Sequence, residues 1–115
     1  MKARAMNRQT TLIVLLLTAA GCAALAGGTI PSAEQVAASS EMNLDSLLNG
    51  RALYQRECMA CHRQYFPAEY SPRGWESIIP KMADRVGLSE ADTHDVMLFV
   101  TEASRLTRNA PPPSE

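Results

Sequence analysis

Apolar side chains recur at the three- and four-residue spacing of α-helices in three segments of this 115-residue chain. Such spacing puts the apolar side chains of a segment on one face, which can be buried against the rest of the protein. These positions are Leu44, Leu47, Leu48, Ala52, Tyr54 and Cys58 in the first segment, Trp75, Ile78, Ile79, Met82 and Val86 in the second, and Val96, Phe99, Val100 and Ala103 in the third. The pattern predicts three helices between residues 43 and 108.

The ends of the second and third segments carry typical helix-boundary residues. Ser71 followed by Pro72 predicts a helix start, because serine caps free N–H groups and proline is tolerated in the first turn. Gly87 predicts the end of that helix, and Ser89 predicts the cap of the next one.

Two residues interrupt the helical pattern. Gly50 lies within the first predicted helix, where glycine costs roughly 1 kcal/mol relative to alanine, and we expect it to permit close contact with another helix. Pro80 lies within the second and should kink or break it, because proline removes a backbone donor. Either Asp45 or Ser46 could cap the start of the first helix.

The N-terminal segment has the pattern of a secretory signal. Three cations among the first eight residues precede an apolar run from Leu12 to Ala20, with no acidic residue before it. The run is too short for a comfortable membrane span. We expect residues 1–21 to be a signal peptide that directs export from a bacterial cytoplasm.

Two cleavage sites are possible. Ala20-Gly21-Cys22 resembles a bacterial lipobox, in which small residues precede a cysteine that is lipidated and becomes the new N-terminus. Ala24-Leu25-Ala26 is an A-x-A pattern, and cleavage there would give a soluble periplasmic protein. We favour lipidation, because it gives the unpaired Cys22 a role. The expected location is the periplasmic side of a membrane, reached through a lipid anchor.

The rest of the chain is predicted to hold one small domain. Residues 22–42 are rich in glycine, alanine, serine and threonine, which predicts a flexible tether. Residues 43–108 form the domain, and residues 109–115, with three consecutive prolines, are predicted to be a disordered tail. A domain this short has a marginal apolar core of its own.

The most specific motif is Cys58-Met59-Ala60-Cys61-His62. Two cysteines at this separation, followed at once by histidine, have the spacing at which c-type haem is attached. Each thiol can add across one vinyl group of the porphyrin, and the histidine can become the proximal iron ligand. We expect one covalent haem c at Cys58 and Cys61, with His62 on the iron. That group would also supply apolar surface that the domain lacks.

A Cys-x-x-Cys pair also occurs in thioredoxin-like redox couples and in zinc sites. The redox couple is expected in a βαβ context, which the sequence does not indicate. Zinc would need two further ligands, and the other cysteine and histidine are Cys22, in the predicted targeting segment, and His94. Both alternatives have less support than haem.

The run Gly50-Arg51-Ala52-Leu53-Tyr54, followed by the haem-attachment motif, resembles the first helix and haem site of class I c-type cytochromes. The resemblance implies an all-α fold: a small bundle of about three helices around one haem, with the first-helix glycine crossing closely against the C-terminal helix. Aromatic residues of the segment 65–70 would then cover a haem face. Further similarity to small bacterial haem proteins of that group lies in Tyr65-Phe66-Pro67, Trp75, Ile78 and Met82.

We predict Met82 as the distal iron ligand. Thioether sulfur suits ferrous iron, and a Met/His ligand pair raises the reduction potential. A break at Pro80 could turn this side chain inward, although methionine at this position could equally be core. Met97 is the second choice, because it lies beside residues needed for helix crossing. Met59, between the cysteines, and His94, at an exposed helical position, are less suitable.

The charge balance and the motif together favour electron transfer. The chain has eleven basic and twelve acidic residues, and loss of the three N-terminal cations leaves eight against twelve, a net charge of about −4. No basic cluster indicates nucleic-acid binding. We expect an electron carrier with redox partner proteins rather than an enzyme. The alternatives are a gas-binding or sensing haem protein with an open or weakly filled sixth iron position, and a subunit of a larger oxidoreductase.

Overall fold

The computed structural model describes residues 28–110, which form four α-helices and one 3₁₀ turn, with no β-strand in that range. The predicted all-α class is confirmed over this range, and one further helix precedes the three predicted ones. No helix among these residues is long and apolar enough to cross a membrane. The helices are α1 (Ala33–Ser39), α2 (Leu44–Glu57), α3 (Pro72–Val86) and α4 (Glu90–Asn109), and the 3₁₀ turn is Pro67–Glu69.

The fold is built on a close crossing of α2 and α4 at Gly50. A β-carbon at this position would overlap the backbone carbonyl of Asp95 and would lie 3.0 Å from the β-carbon of Phe99. Only glycine therefore allows the two backbones to approach this closely. The expected close contact at Gly50 is confirmed, and it compensates for the low helix propensity of glycine.

The crossing determines which face of α2 is buried. Leu47, Leu53 and Tyr54 are buried together with the crossing glycine. Leu44 and Leu48, which the apolar pattern also assigned to the buried face, are 41% and 43% exposed. That part of the prediction is wrong, because contact at residue 50 rotates the helix so that positions three and four residues away face α4.

The start of α2 also differs from the prediction. The cap is Asn43, whose side-chain oxygen accepts a hydrogen bond from the Ser46 N–H at 3.2 Å. Asp45 lies inside the first turn, where its negative charge favours the positive end of the helix dipole. Asparagine is as good a cap as aspartate or serine, so local sequence alone does not decide among them.

Helix α3 has the predicted ends, and of the kink or break predicted at Pro80 the break does not occur. Ser71 accepts from the Gly74 N–H at 3.1 Å, and Gly87 ends the helix in the left-handed conformation with φ 72°. The helix continues through Pro80. Proline at position 80 has no N–H to donate to the Glu76 carbonyl, four residues earlier in the helix. Both residues are exposed. Water can therefore satisfy that carbonyl, which is why the helix tolerates proline here.

Helix α4 contacts all the other elements of the described chain, and its predicted buried face is confirmed. Three small polar residues, Thr101, Ser104 and Thr107, are buried beside the apolar ones. The two threonines donate to carbonyls one turn earlier at 2.8 and 2.7 Å, so their hydroxyls are buried without an unpaired donor. Small polar side chains thus let neighbouring elements pack close to this helix.

The first helix, α1, contradicts the predicted flexible tether over part of residues 22–42. Ser32 and Gln35 form a capping box: the serine oxygen accepts from the Gln35 N–H at 3.1 Å, and the glutamine side-chain oxygen accepts from the Ser32 N–H at 2.8 Å. Composition alone suggested a linker, but this reciprocal cap defines a helix start.

The segment is also attached to the domain. Pro31, Ala33 and Val36 are buried, and α1 packs against α2 and α4. Arg51 of α2 donates its Nε–H to the Pro31 carbonyl at 2.8 Å. The apolar surface of only a few residues is enough to dock this short helix, because α2 and α4 already provide a groove for it.

The remaining boundary predictions lie outside the described residues. These are the signal peptide 1–21 with the lipidation site Cys22, the first part of the tether, and residues 111–115 of the tail. Helix α4 reaches Asn109, one residue into the predicted tail.

Gly50→Ala tests the helix crossing. We expect the free energy of unfolding to fall by about 2 kcal/mol, because overpacking at the α2–α4 contact outweighs the gain in helix propensity. Guanidinium unfolding of the purified protein, followed by circular dichroism, measures this change. Gly74→Ala is the control, since its β-carbon would meet the Tyr70 β-carbon at 3.3 Å and no other helix. Equal stability losses in the two variants would contradict the crossing.

Candidate haem site

The Cys-x-x-Cys-His motif begins where α2 ends. Cys58 is the C-cap of α2 and keeps a helical conformation, with φ −75° and ψ −11°. It is half-buried and packs against the core, whereas Cys61 and His62 are exposed. The chain turns immediately after the helix, and this turn brings both cysteines and the histidine to the wall of one cavity.

That cavity has a volume of about 380 Å³ and lies between the end of α2, the segment after it, α3 and the start of α4. Its wall consists mainly of apolar and aromatic side chains. Both cysteines and the histidine of the motif line it together with the Met82 thioether. The other lining residues are Tyr54, Glu57, Tyr65, Tyr70, Trp75, Ile78, Ile79, Ala83, Arg85, Val86, Leu88 and Val96.

The reactive side chains of the motif differ in environment. Burial raises the pKa of the Cys58 thiol, and the neighbouring Glu57 carboxylate acts in the same direction. The Nδ1–H of His62 donates to the Arg63 carbonyl at 2.7 Å. In this tautomer Nε2 keeps its lone pair and is free to bind a metal. The histidine therefore has the hydrogen bond that a ligating imidazole usually makes through its second nitrogen.

Aromatic rings form a continuous edge-to-face series along the cavity. The ring centroids are 5.2 Å apart for His62 and Tyr65, 5.6 Å for Tyr65 and Tyr70, 5.1 Å for Tyr70 and Trp75, and 5.9 Å for Trp75 and Tyr54. Edge-to-face contacts at these distances are favourable beyond simple burial. The series connects the motif histidine to the helical core and stiffens the cavity wall.

The segment between α2 and α3 has little regular structure, and donors from α3 and α4 hold its backbone. Trp75 donates its indole N–H to the Pro67 carbonyl at 2.8 Å, inside the core. Ser104 donates its hydroxyl to the Tyr70 carbonyl at 2.7 Å. Each bond satisfies a carbonyl that would otherwise lack a helical partner, so the segment is fixed without a strand or a long helix.

Tyr54 joins the same segment to α2. Its hydroxyl donates to the Tyr65 carbonyl, and the Gln64 side-chain amide donates back to the Tyr54 carbonyl at 3.1 Å. Burial, with smaller contributions from Cys58 and Glu69, raises the pKa of the Tyr54 phenol. Tyr54 therefore stays neutral and remains a donor across the physiological pH range.

An exposed ion pair joins the two ends of this segment, between Arg63 and Glu69. The Arg63 guanidinium donates to both carboxylate oxygens of Glu69, at 2.6 and 3.1 Å, and lies 4.3 Å from the centroid of the Tyr65 ring. Glu69 also accepts from the Phe66 N–H at 2.5 Å, and these hydrogen bonds lower the pKa of its carboxyl group. The group is solvent-exposed, so its role is to orient the loop rather than to add much stability.

The structure distinguishes the two methionines considered as distal ligands. Met82 lines the cavity that holds the motif, whereas Met97 lines a separate groove between α3 and α4. The position of Met82 comes from helical phase, since it follows Trp75 by seven residues on the same face of α3. A break at Pro80 is not needed. Met59 is 56% exposed, and His94 is exposed as expected.

Several lining residues were not assigned to the site from the sequence. Tyr54 lies four residues before Cys58, so helical spacing could have placed both on the cavity side of α2. Tyr65 and Tyr70, by contrast, belong to the segment that was expected to cover a haem face; both line the cavity, while Phe66 does not. Arg85 gave no signal beyond its spacing of three residues from Met82.

The described residues offer little support for the two alternative uses of the cysteine pair. Within residues 28–110 no group of three or more histidine, cysteine, aspartate or glutamate side chains could hold a metal ion. The same range contains no strand and therefore no βαβ unit. A c-type haem needs only two thiols, one imidazole and an apolar cavity, and the lining of this cavity meets these requirements.

The chain matches no protein-family model, no curated protein and no solved structure.

Proposed function

We propose that the chain is a mono-haem c-type cytochrome that transfers electrons, with a small class I-like helical bundle around its haem. One observation carries the proposal: Cys58, Cys61, His62 and Met82 line the same largely apolar cavity. Two thiols, an imidazole and a thioether are the set needed for covalent attachment and for two axial iron ligands.

Each residue has a separate role in this proposal. Cys58 and Cys61 form the two thioether bonds, and His62 binds iron through Nε2 while its Nδ1–H stays on the Arg63 carbonyl. Met82 would be the second side chain to hold the iron. When bound, the haem would supply one-electron chemistry through its ferrous and ferric states.

The rest of the cavity wall sets the conditions for that chemistry. Apolar and aromatic side chains would keep water away from the iron and would disfavour the more highly charged ferric state, which would raise the reduction potential. Cys61 and His62 are exposed, so the side of the cavity that carries them lies near solvent. Redox partner proteins would exchange electrons at this side. We assign the chain the role of a carrier, alone or within a larger oxidoreductase, rather than that of an enzyme.

The proposed location is the periplasmic side of a bacterial membrane, with Cys22 as a lipidated N-terminus. Because Pro31 is already buried in the domain, only residues 23–30 would separate the anchor from it. Eight extended residues span at most about 30 Å. The haem domain would therefore stay close to the membrane surface, with less freedom than a tether reaching to residue 42 would give.

Mass spectrometry under denaturing conditions tests covalent attachment. Protein from cells competent in c-type haem attachment should have the mass of the processed chain plus one haem. Replacing Cys61 with serine should leave at most one thioether bond, and His62→Ala should abolish normal iron ligation. A wild-type mass equal to that of the bare polypeptide would disprove the proposal.

Absorption spectra of methionine variants test the distal ligand. Met82→Ala should lose the weak long-red band of methionine-bound ferric iron and should bind carbon monoxide when reduced, because its sixth position is open. Met97→Ala is the matched control and should keep the band, since this residue lies outside the cavity. A wild-type protein that lacks the band and binds carbon monoxide would favour the gas-binding alternative.

Cell fractionation tests the anchor. Cys22→Ala should either release the protein into the soluble fraction or block its processing, because two acyl chains give stable membrane attachment. The wild-type protein should remain with the membrane and begin at an acylated cysteine. Soluble wild-type protein beginning at Gly27 would show that cleavage occurs after Ala26.

A further inference from the structure

Arg85 is a charged side chain of the cavity wall that forms no ion pair with another described residue. Glu57, which also lines the cavity, pairs with Arg56 at 2.6 Å, and His62 already donates to a backbone carbonyl. Arg85 has no ion pair and no side-chain hydrogen bond among the residues that the structure describes. An apolar cavity therefore has one free guanidinium in its wall.

Exposed arginines are common on protein surfaces, but the position of Arg85 at the cavity indicates what it could bind. Arg85 lies in the last turn of α3, one turn after Met82, with its side chain at the cavity. Arg73 and Lys81, the other cations of α3, do not line the cavity. Helical phase thus selects one of three cations on this helix to face the same space as the proposed iron ligands.

The cation that follows the motif in the sequence, Arg63, is already engaged. Arg63 makes a two-point contact with Glu69 and covers the ring of Tyr65. Moving it toward the cavity would break that arrangement and release the Glu69 carboxylate from the Phe66 N–H. Arg85 has no such competing partner.

The chemistry of this wall fits a ligand with a flat apolar body and a carboxylate at its edge. A guanidinium binds a carboxylate through two parallel N–H···O bonds, a geometry that a lysine ammonium does not provide. We propose that Arg85 is the carboxylate-binding residue of the cavity and pairs with a propionate side chain of the haem; this rests on the haem assignment above. The Glu57 carboxylate would repel a propionate, so of these two charged lining side chains only Arg85 would bind it.

The pairing has an electrostatic consequence for the iron. A guanidinium beside a propionate lowers the propionate pKa and offsets its negative charge. Without the guanidinium, the uncompensated carboxylate would stabilise ferric iron and lower the midpoint potential. Because Arg85 is exposed, salt should weaken the effect.

Few other groups could produce the same pH dependence. Once the cysteines are thioethers and the histidine binds iron, Glu57 is the one carboxylate left among the lining residues. The titratable side chains of the lining are Tyr54, Glu57, Cys58, Cys61, His62, Tyr65, Tyr70 and Arg85. Glu57→Gln therefore identifies any contribution from that carboxylate.

Potentiometric titration of the haem-loaded protein across the acidic and neutral pH range tests the proposal. Arg85→Gln should lower the midpoint potential and move the propionate-linked pH step upward by about one unit. Arg85→Lys should fall between this variant and the wild type, because it keeps the charge but loses the two-point contact. Arg73→Gln, on the same helix and away from the cavity, should match the wild type. The Arg85→Gln difference should shrink at high ionic strength.

Two outcomes separate this proposal from the haem assignment. If Arg85→Gln carries one covalent haem but has the potential and pH profile of Arg73→Gln, the role of Arg85 is disproved and the haem assignment stands. An equal shift in both variants would also overturn it, because the effect would then reflect net charge alone. Absence of haem mass from the wild-type protein would instead reject the haem assignment itself.

Discussion

Helices α2 and α4 touch through their backbones at Gly50, and most of the structure follows from this contact. The Asp95 carbonyl occupies space that any side chain at residue 50 would need. This contact rotates α2 so that Leu47 and Tyr54 point into the protein, and it ends the helix with Cys58 beside the cavity. The orientation of the thiol pair therefore depends on a residue eight positions earlier, which has no side chain.

The irregular segment between α2 and α3 acquires its shape from the helices around it. Donors on α2, α3 and α4, from Tyr54, Trp75 and Ser104, bind backbone carbonyls along residues 65–70. The segment thus has fixed positions although few of its residues are in regular structure. One side of the cavity is in this way maintained by hydrogen bonds between residues far apart in sequence, and the other by the apolar face of α3.

The features that could be predicted from the sequence are those with local signals. Ser71, Gly87 and Ser89 mark helix boundaries through their own capping chemistry, and the apolar faces of α3 and α4 follow from periodicity. The buried face of α2 was only partly predicted, because rotation of this helix depends on its contact with α4. Helix α3 runs through Pro80 without a break, and Pro80 and Glu76 both lie on its exposed side, where water can reach the backbone.

The site shows the same division. The Cys-x-x-Cys-His motif is local and was recognisable from the sequence. Met82 could be assigned to the same site because the apolar periodicity of α3 indicates which face is buried, and Met82 lines the cavity with the motif residues. Tyr54 and Arg85 were not assigned to the site. Helical spacing from Cys58 could have indicated Tyr54, whereas the relevance of Arg85 depends on which face of α3 borders the cavity. Helix α1 was missed for another reason: its small residues resemble a linker in composition, and its stability depends on a groove formed by two later helices.

The contacts of α4 also constrain the order in which the protein can fold. Helix α1 packs on α4, although fifty residues separate them, and α2 and α3 pack on α4 as well. Of the four described helices α4 is the last in chain order, so its contacts with the other three can form only after residues 58–62 have been made. The two thiols of the motif are accessible during that interval. Docking of α4 then adds Val96 to the wall of the cavity that they line.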